Sequence, residues 1–436
     1  MNYCQAHIFL RVIMVLTGEV YKMTNTFDEK VKERLIRYAK VNTQSANHTG
    51  TVPSTPCQFD LAKMLYQELQ DIGVKDTYYD KEHCVVYAWL QANTEEGMPV
   101  GFVAHMDTAP DASGENVKPW VFEDYDGSDI VLNKEKNIVM KVSDYPNLKN
   151  YIHQDLVLTD GTTLLGGDDK ASIAAIMTMI EYLVNHPERK HNLLAFAFTP
   201  DEEVGGLARD LDLNRFQAKI AYTLDGDYCG YYEDETFNAS EAIVTFTGLS
   251  VHTGTAKGIM KNAVDMGAEF MGMLPKFEKP QYTEGREGFY HVISFDGTCE
   301  HARLTMIVRD HDSEIFNQRN NYLKKITKEI NRRYGSDAAS IEISIQYRNL
   351  GEAIKKVPFM IPNLVKAIEM AGITPHKVAF RGGTDGSALS WRGLPCPNLS
   401  AGYENAHGRF EYVPVQSMSK NVEILLNLAD LYSKQK

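Results

Sequence analysis

Six side chains able to bind a cation or move a proton stand where extended stretches of this 436-residue chain end: His105, Asp107, Asp168, Glu202, Glu203 and Asp225. A seventh, His407, lies in the glycine-flanked loop Asn405-Ala406-His407-Gly408. Imidazole and carboxylate donors without thiolate suit zinc, manganese or cobalt. The set is large enough for two metals sharing a bridging carboxylate, and two-metal hydrolytic sites hold their ions ~3.5–4 Å apart around an activated water. The sharpest stretch is residues 193–206, LLAFAFTPDEEVGG. Its apolar run ends at Thr199-Pro200, and Asp201, Glu202 and Glu203 follow at once. Neighbouring acids repel and are costly to bury unpaired, so a bound cation would relieve them. One could hold metal while the other handles a proton. Taken alone, a solvated acidic turn accounts for this stretch equally well. Asp107, two residues after His105 on extended chain, could orient the imidazole.

These residues need elements to position them. Residues 193–199 read as a buried strand, because the run is short, apolar and bounded by breakers. Acids at the end of such a strand sit at the sheet rim, where open α/β folds bind ligands. Residues 98–104 read as the strand delivering His105, joined to a strand at 84–91 by a polar turn over Asn93 to Gly97, and 219–224 as the strand ending at Asp225. A Gly/Thr loop at 161–169 leads into a helix over about 170–186. Thr26-Phe27-Asp28-Glu29 reads as a capping box opening the first helix, and a second runs over about 58–72 to Gly73. From 242 to 347 the order becomes β-α-β-β-α-β, the split ferredoxin-like unit. After 351 the α/β pattern resumes. The expected organisation is therefore an α/β catalytic domain with a central mixed sheet (23–236 and 350–436), carrying an inserted ferredoxin-like α+β domain at 237–349.

The totals fit a globular protein, with 43% hydrophobic and 24% charged residues. A net charge of −13 argues against nucleic acid or anionic membrane as partner. Six scattered cysteines without a CxxC pair suggest free thiols in a reducing compartment, so a cytoplasmic location is expected. No stretch is long and apolar enough to span a bilayer. Residues 8–16 resemble a signal-peptide core interrupted by Arg11. With Met23 directly before a helix start, residues 1–22 are read as an N-terminal extension.

Taken in order, HMDT (105–108), LLGGDDKAS (164–172), FTPDEEVG (198–205), LDGD (224–227), GTAKG (254–258), FRGGTDGSALS (380–390), LPCPNLSAG (394–402) and NAHGRFE (405–411) resemble the di-zinc aminoacylase/carboxypeptidase-type metallopeptidases. The resemblance covers about 24–436 and points to the branch that removes the N-terminal residue from tripeptides. It implies one zinc on His105, Asp168 and Asp225 and another on Asp168, Glu203 and His407. Asp168 is preferred over Asp169 because the family's ligand precedes lysine by two. Cobalt or manganese could substitute. The resemblance makes Glu202 the general base and Asp107 the residue orienting His105. It makes the inserted domain a lid and dimerisation unit, through which a homodimer is expected. His252, which in many relatives comes from the partner subunit, would stabilise the oxyanion. Arg309 and Arg381 would bind a peptide carboxylate, and Lys257 and Asn262 are weaker candidates. The chain departs from the pattern at Thr253, where this branch usually has proline, at Asp227, where it usually has glycine, and at Glu404-Asn405-Ala406. A related amidohydrolase, a dipeptidase or N-acyl amino acid deacylase, is the alternative activity.

Overall fold

The structure is a computed structural model and describes residues 26–95 and 97–435; the expectation for residues 1–22 lies outside that range. Eight strands form the larger sheet, in the order Asp76–Asp80, Val85–Leu90, Leu194–Thr199, Val100–His105, Ile220–Gly226, Asn398–Ser400, Tyr231–Glu233 and His376–Val378. Leu194–Thr199, Val100–His105, Ile220–Gly226 and Asn398–Ser400 run parallel. Their carboxyl ends therefore share one edge, and that shared direction brings residues about 100 positions apart to one place.

Side-chain alternation sets the two faces. Phe102, Phe196, Phe198 and Tyr222 pack under the helices Asp28–Ala39, Gly167–Asn185 and Val415–Tyr432, whereas Val103, Ala195, Ala197 and Ala221 face Phe216 and Leu389. With both faces covered, the strands read as continuous apolar runs. The helix from Gly167 is buried along nearly its whole length, and each of Ile173, Ile176 and Ile180 contributes about 1.5–3 kcal/mol by leaving water. Asp168 and Asp169 have non-helical backbone angles, so regular helix starts at Lys170, as the sequence indicates.

A second sheet, in the order Phe289–Gly297, His301–Asp310, Asn238–Thr247 and Ala339–Tyr347, is antiparallel throughout. The helices Ala263–Gly272 and Ser313–Tyr334 cover one of its faces and close a separate core around Phe246, Phe270, Leu304 and Ile326. Where the chain crosses between sheets, Asn349 accepts from Thr236 and Gly351 N–H and donates to the His311 carbonyl. Asn238 donates to the carbonyls of Asp310 and His311.

One local expectation is corrected, and two features of the sheet go beyond the sequence reading. The first helix begins at Asp28 with Phe27 in the cap position and no side-chain cap, so no capping box starts it. Asp28 is buried instead and accepts from Ser419 Oγ of the C-terminal helix. Val85–Leu90 and Val100–His105 do not pair, because Leu194–Thr199 lies between them. The edge strand Asp76–Asp80 was not expected; its sequence, DTYYD, carries no apolar run.

Candidate metal centre

His105 ends its strand almost fully buried, with Nε2 2.9 Å from Asp168 Oδ1 and 3.6 Å from Asp225 Oδ1. The other Asp168 oxygen lies 3.3 Å from His407 Nε2, which is 2.9 Å from Glu203 Oε2. Asp168 thus sits between two donor groups, His105 with Asp225 and His407 with Glu203. Donor atoms of His105, Asp168 and Glu203 lie within 4.8 Å of one another, as do those of His105, Glu202 and Asp225. The second group brings Glu202 beside the position shared by His105 and Asp225. The two histidines differ in access: the His105 side chain is 1% exposed and that of His407 is 47% exposed.

The electrostatics fit a cation-binding cluster. Burial alone would lower the His105 pKa, but the carboxylates of Asp107, Asp168 and Asp225 outweigh it and push it well above the usual imidazole value. Bonds to Asp168 and Glu203 raise His407 to about 11. Burial works against ionised Asp168, yet its bonds to both histidines hold it well below the usual carboxylate range. Glu202 is pushed well above that range by burial and then by the Asp225 charge, and Glu203 to about 8 by burial and the Asp168 charge. Asp225 rises to about 6, chiefly through burial. Glu203 Oε1 is buried with no hydrogen-bond partner. Two imidazoles and three crowded carboxylates, one with an orphaned buried oxygen, form a donor set suited to two divalent cations.

The supports of these side chains were mostly hidden in the sequence. Asp107 is fully buried; its carboxylate accepts from the backbone N–H of Glu202 (2.9 Å) and Glu203 (3.2 Å) while Oδ1 lies 3.3 Å from His105 Nδ1. It therefore fixes the acidic turn as well as the imidazole. Glu411 accepts from the N–H groups of Leu165, Gly166 and Asp168 and cradles the loop that presents Asp168. Asn398 brackets Asp225, accepting its N–H and donating to its carbonyl, and Tyr403 OH donates to Asp225 Oδ1. The FTPDEEVG motif pointed to three acids, but Asp201 turns away and accepts from Ser54 and Gln58, tying down the 42–57 loop. The NAHGRFE motif already contained Glu411; for Asn398 the only signal was its place in LPCPNLSAG.

These residues floor a cleft of about 1060 Å³ whose far wall belongs to the second sheet. Arg309 lines it, lying over the Tyr347 ring and donating to the carbonyls of Ser240 and Val308 and to Gln346 Oε1. Arg381 does not line it. Its guanidinium donates to the carbonyls of Gly285 and Glu287 and to Thr283 Oγ1, over the rings of Phe237 and Phe289. In this placement the Arg381 donors are turned to the 283–287 loop, and the residue is not among those lining the cleft. His252 is exposed, outside the cleft lining, with Nδ1 accepting from Gly254 N–H. Lys257 is exposed, and Asn262 caps the following helix through Val264 N–H.

Residues 235–338 match a family model described as the peptidase dimerisation domain. The chain is 46% identical to peptidase T of Caldanaerobacter subterraneus subsp. tengcongensis over 407 residues, which is 93% of this chain and 99% of the relative. Among solved structures it resembles aminopeptidase PepT from Bacillus cereus, with a TM-score of 0.72 at 21% identity, covering 93% of this chain and 99% of the other. It also resembles the YxeP protein of Bacillus subtilis, described as a dinuclear metal-binding peptidase of the M20 family, with a TM-score of 0.64 at 10% identity, covering 93% and 98%.

Proposed function

The chain belongs to the peptidase T family, and from that premise we propose that it removes the N-terminal residue from tripeptides in the cleft between the two sheets. The observation that carries this reading is the meeting of His105, Asp168, Glu203, Asp225 and His407 around one bridging carboxylate, with Glu202 alongside. Two zinc ions, one on His105, Asp168 and Asp225 and one on Asp168, Glu203 and His407, would polarise the scissile carbonyl and lower the pKa of a water there. Cobalt and manganese suit the same donors.

The protein's own groups do the rest. Glu202 takes the proton from the attacking water on a carboxylate oxygen and hands it to the leaving amine nitrogen. Cations held at the neighbouring positions would oppose the upward shift of its pKa and favour the ionised carboxylate. Asp107 holds His105 and the Glu202–Glu203 turn in one geometry. Arg309 has donors left over from its backbone bonds and offers them to the peptide's terminal carboxylate.

The proposed assembly is a homodimer through the second sheet. The match to a dimerisation domain supports it, as do the exposed apolar side chains Leu249, Ile259 and Ile293 in that region. His252 then completes the partner's cleft, in keeping with its exposure outside its own. The proposed compartment is the cytoplasm; Cys57, Cys84, Cys229, Cys299 and Cys396 are all free thiols. Among the described residues no helix is long and apolar enough to cross a membrane.

A panel of tripeptides, dipeptides and N-acyl amino acids, assayed with zinc present, tests the reading. Tripeptides should be cleaved fastest, and Glu202→Gln should lower kcat by about 10²–10⁴-fold with metal still bound. Preferential turnover of dipeptides or N-acyl amino acids would overturn it.

A further inference from the structure

We propose that Asp227 receives the α-ammonium of the substrate and so makes the cleft select a free N-terminus; the inference rests on the peptidase reading above. Asp227 follows Gly226 at the end of the strand that carries Asp225, and it lines the cleft beside Asp168, Tyr228 and His407. In a peptide cut at its first bond the ammonium nitrogen lies about 2.5 Å from the scissile carbonyl carbon. Its counter-charge must therefore stand next to the metal ligands. A residue two positions beyond Asp225, at most about 7 Å along the backbone, meets that requirement.

Asp227 is also the cleft acid that no other task occupies. Asp168, Glu203 and Asp225 supply three negative charges to the metal positions, and Glu202 is the base. Glu404 accepts from Tyr151 and Asn147, and burial raises it to about 7. Glu233 accepts from Asn398 and is raised to about 8, again chiefly by burial. Among the described residues Asp227 belongs to neither metal-compatible group and forms no ion pair with Lys or Arg, and it lines the cleft as an exposed residue. An ammonium docked there would meet a carboxylate with no Lys or Arg partner. Two arginines line the cleft, Arg209 and Arg309, and Arg309 stands on the Glu202 and Tyr347 side. A zwitterionic peptide is then oriented with its amine toward Asp227 and its carboxylate toward Arg309.

The experiment compares wild type with Asp227→Asn, using a free tripeptide as substrate, its N-acetylated form as competitive inhibitor, and bound zinc measured in both proteins. The expected result is a loss of about tenfold or more in kcat/KM for the free tripeptide, carried by KM. The inhibition constant of the N-acetyl peptide and the zinc content should not change. Asp227→Gly is the second variant should the amide substitution impair folding. Equal weakening of both peptides, a fall in zinc content, or no change in either constant would overturn the assignment. A wild type that cleaves no tripeptide would overturn the peptidase reading instead, which is a separate outcome.

Discussion

Replacing Asp107 with asparagine keeps the shape of a fully buried side chain and changes only its charge and its donors. At present one oxygen accepts from Glu202 N–H and the other from Glu203 N–H, with His105 Nδ1 3.3 Å from the first. An amide can satisfy only one of those N–H groups and presents an NH₂ to the other. A hydrogen bond to a charged acceptor contributes about 1.5–3 kcal/mol, so Asp107→Asn should cost about 3 kcal/mol once the lost bond and the orphaned donor are both counted. Its local consequence is larger. The turn carrying Glu202 and Glu203 loosens while His105 loses the charge that orients it, so zinc affinity should fall about 10–100-fold. Chelator-competition titration would measure this, with thermal unfolding followed in parallel and activity recorded across added zinc. Activity lost at limiting zinc should return in part when zinc is in excess. If the variant binds zinc within about twofold of wild type, Asp107 does not organise the centre and the reasoning fails.

Three further outcomes are expected. Arg309→Met should raise KM for tripeptides about tenfold or more while leaving C-terminally amidated tripeptides little changed; an equal effect on both would remove the carboxylate role. Gly167→Ala would bring a Cβ to 2.4 Å from Val413 Cγ2 and 3.0 Å from Glu411 Oε1, displacing the Asp168 loop, so it should destabilise by about 1–3 kcal/mol and weaken zinc binding together; full stability and affinity would show that the loop has room. Burial holds His191 below the usual imidazole pKa of about 6.5, so the unfolded chain takes a proton that the folded one resists. Its neutral burial therefore penalises stability as pH falls below about 6.5. His191→Gln should gain up to about 1.4 kcal/mol per pH unit relative to wild type between pH 6.5 and 5, read as a difference in unfolding free energy, and a pH-independent difference would contradict this.

The strands that deliver the site could be read from the sequence, because each is an apolar run cut off by a polar or breaking residue. Leu194–Thr199 and Gln58–Ile72 begin and end within a residue of the expected bounds. Pairing was less accessible. Nothing local to residues 84–104 indicates that a strand almost 100 positions later intervenes, since register is settled by long-range contacts. The edge strand Asp76–Asp80 escaped because an edge needs no apolar alternation. The ligand assignments came from motif resemblance, whereas two supports are polar residues recognisable only by what they touch: Glu411 under three N–H groups and Asn398 around Asp225; Asp107 was legible as the partner of His105 but not as the acceptor beneath the acidic turn. Arg381 shows the converse. A basic residue in a suggestive motif proved to be anchored on backbone carbonyls of the 283–287 loop.

Diffraction from zinc-loaded crystals at the zinc absorption edge tests the central claim most directly. Two anomalous peaks per chain are expected, one among His105, Asp168 and Asp225 and one among Asp168, Glu203 and His407, with Asp168 touching both. A single peak, or peaks away from Asp168, would contradict it.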